Sequence, residues 1–253
     1  QPVMRSPLEF RRRGGGFNPV SALFGAGQQG VLYDPSVMSS LFQDNAFTVP
    51  VTAADQTVGG MLDLSGNGNH ATQADASKRP ILRNSGSLWW LEFDGVNDSL
   101  STAAIDFSGT DKVSAWVGAK SLTATAGMIT DFGQGQLQGL FYIFNTASGP
   151  EFAVNGSGVG RTVSNPGVWS ADALVLSMQA NITAPTYNEE LITSVNGGII
   201  VGGSGTIGTG TLGNYPLSIG SRNNGLSLQF NGNLYPIVIA GALYDANTVA
   251  KMN

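Results

Sequence analysis

Short runs of β-branched and aromatic residues, each stopped within a few positions by Gly, Asn, Asp or Pro, recur along most of this chain. They include Leu88–Phe93, Val113–Ala119, Met128–Phe132, Leu140–Phe144, Ala173–Met178, Leu191–Val195, Ile199–Val201, Leu217–Ile219 and Tyr235–Leu243. Asp94-Gly95, Asn155-Gly156, Asn196-Gly197 and Asn214 punctuate them. Many short strands with regular turn signals mark a β-sandwich or barrel. Composition agrees: charged residues are 11%, against roughly 25% in ordinary globular chains, and 35 of 253 residues are Gly, about twice average usage. Hydrophobic residues at 42% are too many for a disordered chain. The glycines show no three-residue period, which excludes collagen. A length of 253 residues suits one sandwich.

Net charge is −5, unevenly placed: residues 1–30 hold Arg5, Arg11, Arg12, Arg13 and Glu9, a local +3, which leaves −8 for the rest. An acidic body disfavours a nucleic-acid surface, because phosphate binding needs clustered Lys and Arg. There is no Cys, so disulfides, thiol nucleophiles and cysteine zinc sites are excluded. No apolar run approaches the ~18 residues that would span a bilayer. Arg11–Arg13 followed by Gly14–Gly16 sets residues 1–29 apart as an extended basic, Gly-rich arm, since three glycines in series mark a hinge. Residues 30–253 are then the sandwich. Short peripheral helices are expected from Asp34-Pro35 to about Phe42 and over Asp245–Met252, and a hairpin with long turns within Gly197–Gly213.

Few motifs carry chemistry. Glu92-Phe93-Asp94-Gly95-Val96-Asn97-Asp98 approaches the Glu-x-Asp-x-x-Glu strand of laminarinase-type glycosidases, whose alternate acids point into one cleft. Asn97 stands where the third acid is needed and cannot donate a proton, so no catalytic residue is assigned. Acids brought together by the fold, Glu92 with Glu151 or Asp131, stay open. Asp63-Leu64-Ser65-Gly66-Asn67-Gly68-Asn69-His70 spaces oxygen ligands like the start of a calcium loop, yet the twelfth position of an EF-hand would be Ala74. A self-satisfied polar turn is the favoured reading, with Asp63 and Asn67 as weak calcium candidates. His70 is the only histidine, and no nucleophile elbow accompanies it. Trp89 and Trp90 are the candidate carbohydrate-stacking residues; neighbours on a strand face opposite ways, so one belongs to the core and the other can face outward.

Three stretches together resemble a known family: Asp63–Ala71, Leu91–Asp98 and Val113–Val117. Val195-Asn196-Gly197-Gly198, Leu217-Ser218-Ile219-Gly220, Phe230–Tyr235 and Ala242-Leu243-Tyr244 continue the pattern in order. The chain from about residue 30 is similar to the concanavalin A-like, laminin-G type jelly roll. The opening Gly30–Ser36 and Leu41–Asp44 resembles bacteriophage and prophage structural proteins that carry this domain. The resemblance implies an all-β, two-sheet antiparallel sandwich that commonly binds carbohydrate or protein, sometimes with calcium.

On this reading the chain is a non-enzymatic phage virion structural protein, tail- or fibre-associated, made in the bacterial cytoplasm. The sandwich contacts host-surface glycan, and the arm docks to other virion proteins through Phe10, Arg11, Arg12, Arg13, Phe17 and Phe24. The alternative is a capsid decoration or tail accessory protein that cements its neighbours and binds no receptor. A homo-oligomer is expected, with no cofactor beyond the calcium just weighed, no membrane insertion and no nucleic-acid partner.

Overall fold

The computed structural model describes residues 17–133, 138–158, 161–164, 167, 169–201 and 204–253. Two antiparallel sheets face each other. In the first, neighbouring strands run Gly198–Val201, Leu191–Val195, Leu174–Asn181, Lys112–Ser121, Asn231–Ala240, Leu88–Asp94 and Ile81–Ser85. In the second the order is Ser204–Thr206, Arg161–Ser164, Gly149–Asn155, Leu140–Thr146, Gly127–Phe132, Asn214–Ile219, Leu100–Asp106, Ala71–Thr72, Gly60–Met61 and Leu41–Phe42. This is the expected all-β jelly-roll sandwich.

Alternation along the strands builds the core. Leu91 and Phe93, Ala115 and Val117, Phe141 and Ile143, and Phe152 and Val154 point inward and are buried together. Phe132 stacks on Phe141 at 4.8 Å, and Phe107 meets Phe132 edge-on at 5.1 Å. Aromatic pairs of this geometry add about 1 kcal/mol each beyond their buried area.

One strand organises the first sheet. Asn231–Leu234 pairs with Leu91–Asp94, whereas Ile237–Ala240 pairs with Gly30–Tyr33 on the same edge. The register slips between Leu234 and Ile237, at Pro236, which has no N–H to give to the ladder. Gly30 opens its strand at φ +154°, where a Cβ would lie 2.0 Å from the Ile239 carbonyl oxygen. Only glycine tolerates that approach.

Several expectations change. Asp34-Pro35 starts no α-helix: Asp34 Oδ1 accepts from the Ser36 N–H and hydroxyl in a tight turn, and only a 3₁₀ turn over Met38–Ser40 follows. The Gly-rich stretch after Asn196 is not one hairpin. Gly198–Val201 closes one edge of the first sheet, and Ser204–Thr206 joins the second. The closing helix forms over Ala246–Met252, capped by Asp245, which accepts from the Thr248 N–H at 2.7 Å.

The largest change concerns the arm. Asn18 accepts from the N–H groups of Val20 and Ser21 and caps a helix over Pro19–Phe24, with Pro at its first position. Leu23 and Phe24 are buried on the outer face of the first sheet, against Leu32, Trp116, Val175, Val238, Ala240 and Met252, with Phe17 packed alongside. Among the described residues the packed sandwich therefore reaches back past the expected boundary at residue 29 to Phe17, because these apolar side chains are consumed by the sandwich itself.

Candidate functional site

The two helices cover only part of the first sheet's outer face. Beyond them the same face carries Trp90. In the strand Leu88–Asp94, Leu91 and Phe93 point into the core, so Trp90 and Glu92 point out. Trp89 packs against the core and is not a stacking surface. Of the two tryptophans, the outward one is thus Trp90.

Cross-strand register gathers its neighbours. Arg83 lies opposite Trp90; Ile81 and Asn233 lie opposite Glu92 from either side; Lys120 lies opposite Asn233. The Trp90 and Tyr235 rings sit 5.9 Å apart, tilted by 45°. Arg83 donates to Glu92 Oε1 through Nη2 at 2.9 Å and through Nε at 3.2 Å, and pairs with Asp55 as well. Burial raises the Tyr235 hydroxyl above its ordinary pKa, with the Asn233 side chain opposing. Trp90 Nε1 and Asn233 Oδ1 are both buried without a hydrogen-bond partner among the described residues. One is a donor and the other an acceptor, beside a half-buried indole. The half-buried indole face suits the C–H face of a sugar, and the polar groups beside it on this sheet face are Arg83, Glu92 and Lys120.

The Asp63 loop does not fit calcium. Asp63 Oδ1 accepts from the Leu32 and Ser65 N–H groups, both at 2.9 Å, and Oδ2 accepts from Ser65 Oγ at 2.7 Å and the Asn69 N–H at 3.0 Å. Asn67 Nδ2 donates to the Gln28 and Gly30 carbonyls, and the Asp63 N–H donates to His70 Nδ1. A cation here would have to displace four donors from one carboxylate. Among the described residues no three His, Asp or Glu side chains gather to hold a metal. The loop is instead a latch that ties the start of Gly30–Tyr33 to residues 63–70.

The fold separates Glu92 from the other acids. Glu92 lies on the outer face of the first sheet, whereas Asp131 and Glu151 share the outer face of the second, on either side of Tyr142. No single-residue motif announced that second cluster, whose members come from three strands and a loop. Phe17 and Phe24, expected as anchors, are packed on the sandwich, and Phe10, Arg11, Arg12 and Arg13 lie outside the described residues.

No family model matches the chain, and no curated protein matches it in sequence. Solved structures do match in shape. Domain 4 of AbnA, a GH43 extracellular arabinanase from Geobacillus stearothermophilus solved with arabinotriose, aligns at TM-score 0.56 and 14% identity over 89% of this chain and 99% of its own. The botulinum neurotoxin serotype G binding domain aligns at TM-score 0.55 and 10% identity over 75% of this chain and 47% of its own. Trypanosoma rangeli sialidase in complex with sialic acid aligns at TM-score 0.55 and 10% identity, over 89% of this chain and 32% of its own. The chain thus spans about half of the toxin domain, a third of the sialidase and nearly all of the arabinanase domain. At these identities the likeness is one of fold: a two-sheet antiparallel sandwich.

Proposed function

We propose that this chain is a non-enzymatic structural protein of a bacteriophage virion, tail- or fibre-associated, whose sandwich contacts host-surface carbohydrate through the Trp90 face. Residues 1–16, with Phe10 and Arg11–Arg13, dock it to the particle. The observation that carries the glycan reading is an outward, half-buried indole, Trp90, set beside Tyr235 and flanked on the same sheet face by Arg83, Glu92 and Lys120. Domain 4 of AbnA, a sandwich of similar shape solved in complex with arabinotriose, supports it. The virion assignment rests on the sequence resemblance of Gly30–Ser36 and Leu41–Asp44.

The test is titration of the full chain with polysaccharide extracted from the host surface, with and without a chelator. Saturable binding that Trp90→Ala weakens at least tenfold, at unchanged melting temperature, is expected. Chelation should leave it unchanged, since both Asp63 carboxylate oxygens already accept from protein donors. Absence of saturable binding at high protein concentration overturns the glycan reading. The decoration or cementing role would then take its place. One observation favours that role: Val96, Leu122 and Leu226 are 70%, 49% and 76% exposed, on loops adjoining the end of the sandwich around Asn231 and Ser99. Apolar loop tips of this kind suit contact with a neighbouring virion protein.

A further inference from the structure

A sandwich has two flanks where its sheets end, and the described residues cover only one of them. On the flank formed by Ile81–Ser85 and Leu41–Phe42, residues 49–58 take up the free backbone. Asp55 N–H donates to the Leu82 carbonyl at 2.7 Å, Leu82 N–H donates to the Gln56 carbonyl at 2.9 Å, and Thr57 bridges Ile81. Gln43 N–H donates to the Val49 carbonyl at 2.7 Å, Val51 N–H donates to the Leu41 carbonyl at 3.0 Å, and Phe42 bridges Pro50. The other flank is formed by Gly198–Val201 of the first sheet and Ser204–Thr206 of the second. Gly198–Val201 pairs with Leu191–Val195 on its inner side. Among the described residues nothing pairs with its outer side.

The hairpin turn fixes which backbone groups face out from that edge. Asn196 and Gly197 sit at φ of 51° and 76°, both positive as in a type I′ turn, so Val195 and Gly198 close the hairpin as a hydrogen-bonded pair. Bonding direction alternates along a strand. Thr193 and Ile200 are therefore the next bonded pair, and the N–H and C=O of Ile199 and Val201 point away from the sheet. A free edge of this kind is a template for another strand, and proteins usually blunt it with a charge, a proline or a bulge. Gly197-Gly198-Ile199-Ile200-Val201-Gly202-Gly203 carries no charge and no proline, and Gly198–Val201 pairs with its neighbour without a bulge.

We propose that Gly198–Val201 pairs antiparallel with the same strand of a second copy, Ile199 exchanging both backbone bonds with Val201 of the partner subunit about a two-fold axis at Ile200. The identical edge suits this one because it is extended and uncharged, so the contact buries no lone charge. Residues 1–16 would instead bring Arg5 and Arg11–Arg13 to it. The two ends of the edge also differ in charge. Exposed Glu189 lies just before Leu191–Val195, whose Ile192 faces Val201, whereas the closing helix, with exposed Lys251 in its last turn, ends against Gly197. Antiparallel pairing sets the acidic end of each copy beside the basic end of the other; parallel pairing would set like beside like. The axis stands perpendicular to the sheet, so the joined first sheets turn their outer faces to the same side. Trp90 lies on the sixth strand in from this edge, so the two Trp90 residues stand roughly 50 Å apart along the joined sheet. Dimer formation needs nothing of the glycan reading; bivalent grip on a repeating host polysaccharide rests on it.

Sedimentation velocity on the full chain, from about 1 to about 100 μM, is expected to show a concentration-dependent dimer. Hydrogen exchange should then protect the Ile199 and Val201 amides at the high concentration and leave Ile200, bonded in either state, unchanged. Val201→Pro removes an N–H that only the second copy uses, and an edge strand tolerates proline there. It should keep its melting temperature and raise the dimer dissociation constant about tenfold or more. Ile199→Lys, which leaves the backbone intact and puts a charge on the edge, serves if Val201→Pro does not fold, with the same weakening expected. A native chain that stays monomeric throughout overturns the proposal. So does a folded Val201→Pro variant that dimerises like the native chain, or amides of Ile199 and Val201 that exchange alike at both concentrations. Loss of the dimer on removing residues 1–16 would give the edge to the arm and overturn it too. A chain that dimerises as described yet binds no host polysaccharide upholds the dimer and refutes the glycan reading alone, since sedimentation uses no ligand.

Discussion

Thr130 carries a hydroxyl into a place with no use for it. The residue is fully buried between Ile143 and Ile219, and its Oγ1 has no hydrogen-bond partner among the described residues. An unpaired buried hydroxyl costs about 1–3 kcal/mol. Thr130→Val keeps the shape and removes the cost, so it should raise stability by about 1 kcal/mol, read as a higher urea midpoint at constant slope. Asp98 is a second such residue. Burial, with the nearby Asp94 and Glu92 charges, pushes its carboxyl up to about 6, although the Asp94 N–H donates to it. The folded chain then holds that proton more tightly than the unfolded chain, whose Asp titrates near 3.9. The contribution of Asp98 to stability is therefore greatest below pH ~4 and is lost as pH rises through about 6. Asp98→Asn, which still accepts from Asp94, should be more stable than the native chain at pH 8, by on the order of 1–3 kcal/mol, with the gap closing by pH 4. Equal pH profiles for the two would refute this. Residue-level legibility was uneven. The Trp89–Trp90 alternation could be read from strand period alone, but Asp131 and Arg222 meet only through three strands and a loop.

At the scale of elements, local chemistry was legible wherever a side chain serves its own backbone. The Asp245 cap and the closing helix follow from sequence, as do the strands with clear apolar runs. Ile81–Ser85, Leu100–Asp106 and Gly149–Asn155 were not anticipated, because their polar or small outward residues blur the apolar pattern. The Asp34-Pro35 signal misled for a physical reason: an Asp that accepts from the residue two on closes a turn as readily as it caps a helix. The Pro19–Phe24 helix is too short to stand alone, so the apolar face it shares with Trp116 holds it in place. Phe24→Ala should cost roughly 3 kcal/mol, seen as a lower melting temperature. The Asp63 latch is a similar case. Asp63→Ala strands three buried or half-buried N–H donors and one hydroxyl, and a loss of roughly 3 kcal/mol or more is expected. Calcium should change the melting temperature of neither the native chain nor the variant; a calcium-dependent rise in the native chain would show the loop to be a metal site after all.

For the whole molecule, the revised boundary makes a sharp prediction. Removing residues 1–16 should leave the melting temperature unchanged, since the packing seen among the described residues starts at Phe17, and should abolish incorporation into particles. Normal incorporation of that truncation would refute the docking role of the arm. Removing residues 1–29 instead should destabilise the sandwich, because Leu23 and Phe24 leave the face they cover. The sequence by itself determined the class: few charges, abundant Gly, and short strands of period two admit little but an all-β sandwich, because these are properties of single residues and their neighbours. Which strands pair, where the arm ends and which polar atoms meet are decided only in three dimensions. Hydrogen-bond partners such as Ser114 and Ala242, 128 residues apart, and the Asp131–Arg222 pair are set by packing two twisted sheets, and no local pattern encodes that packing.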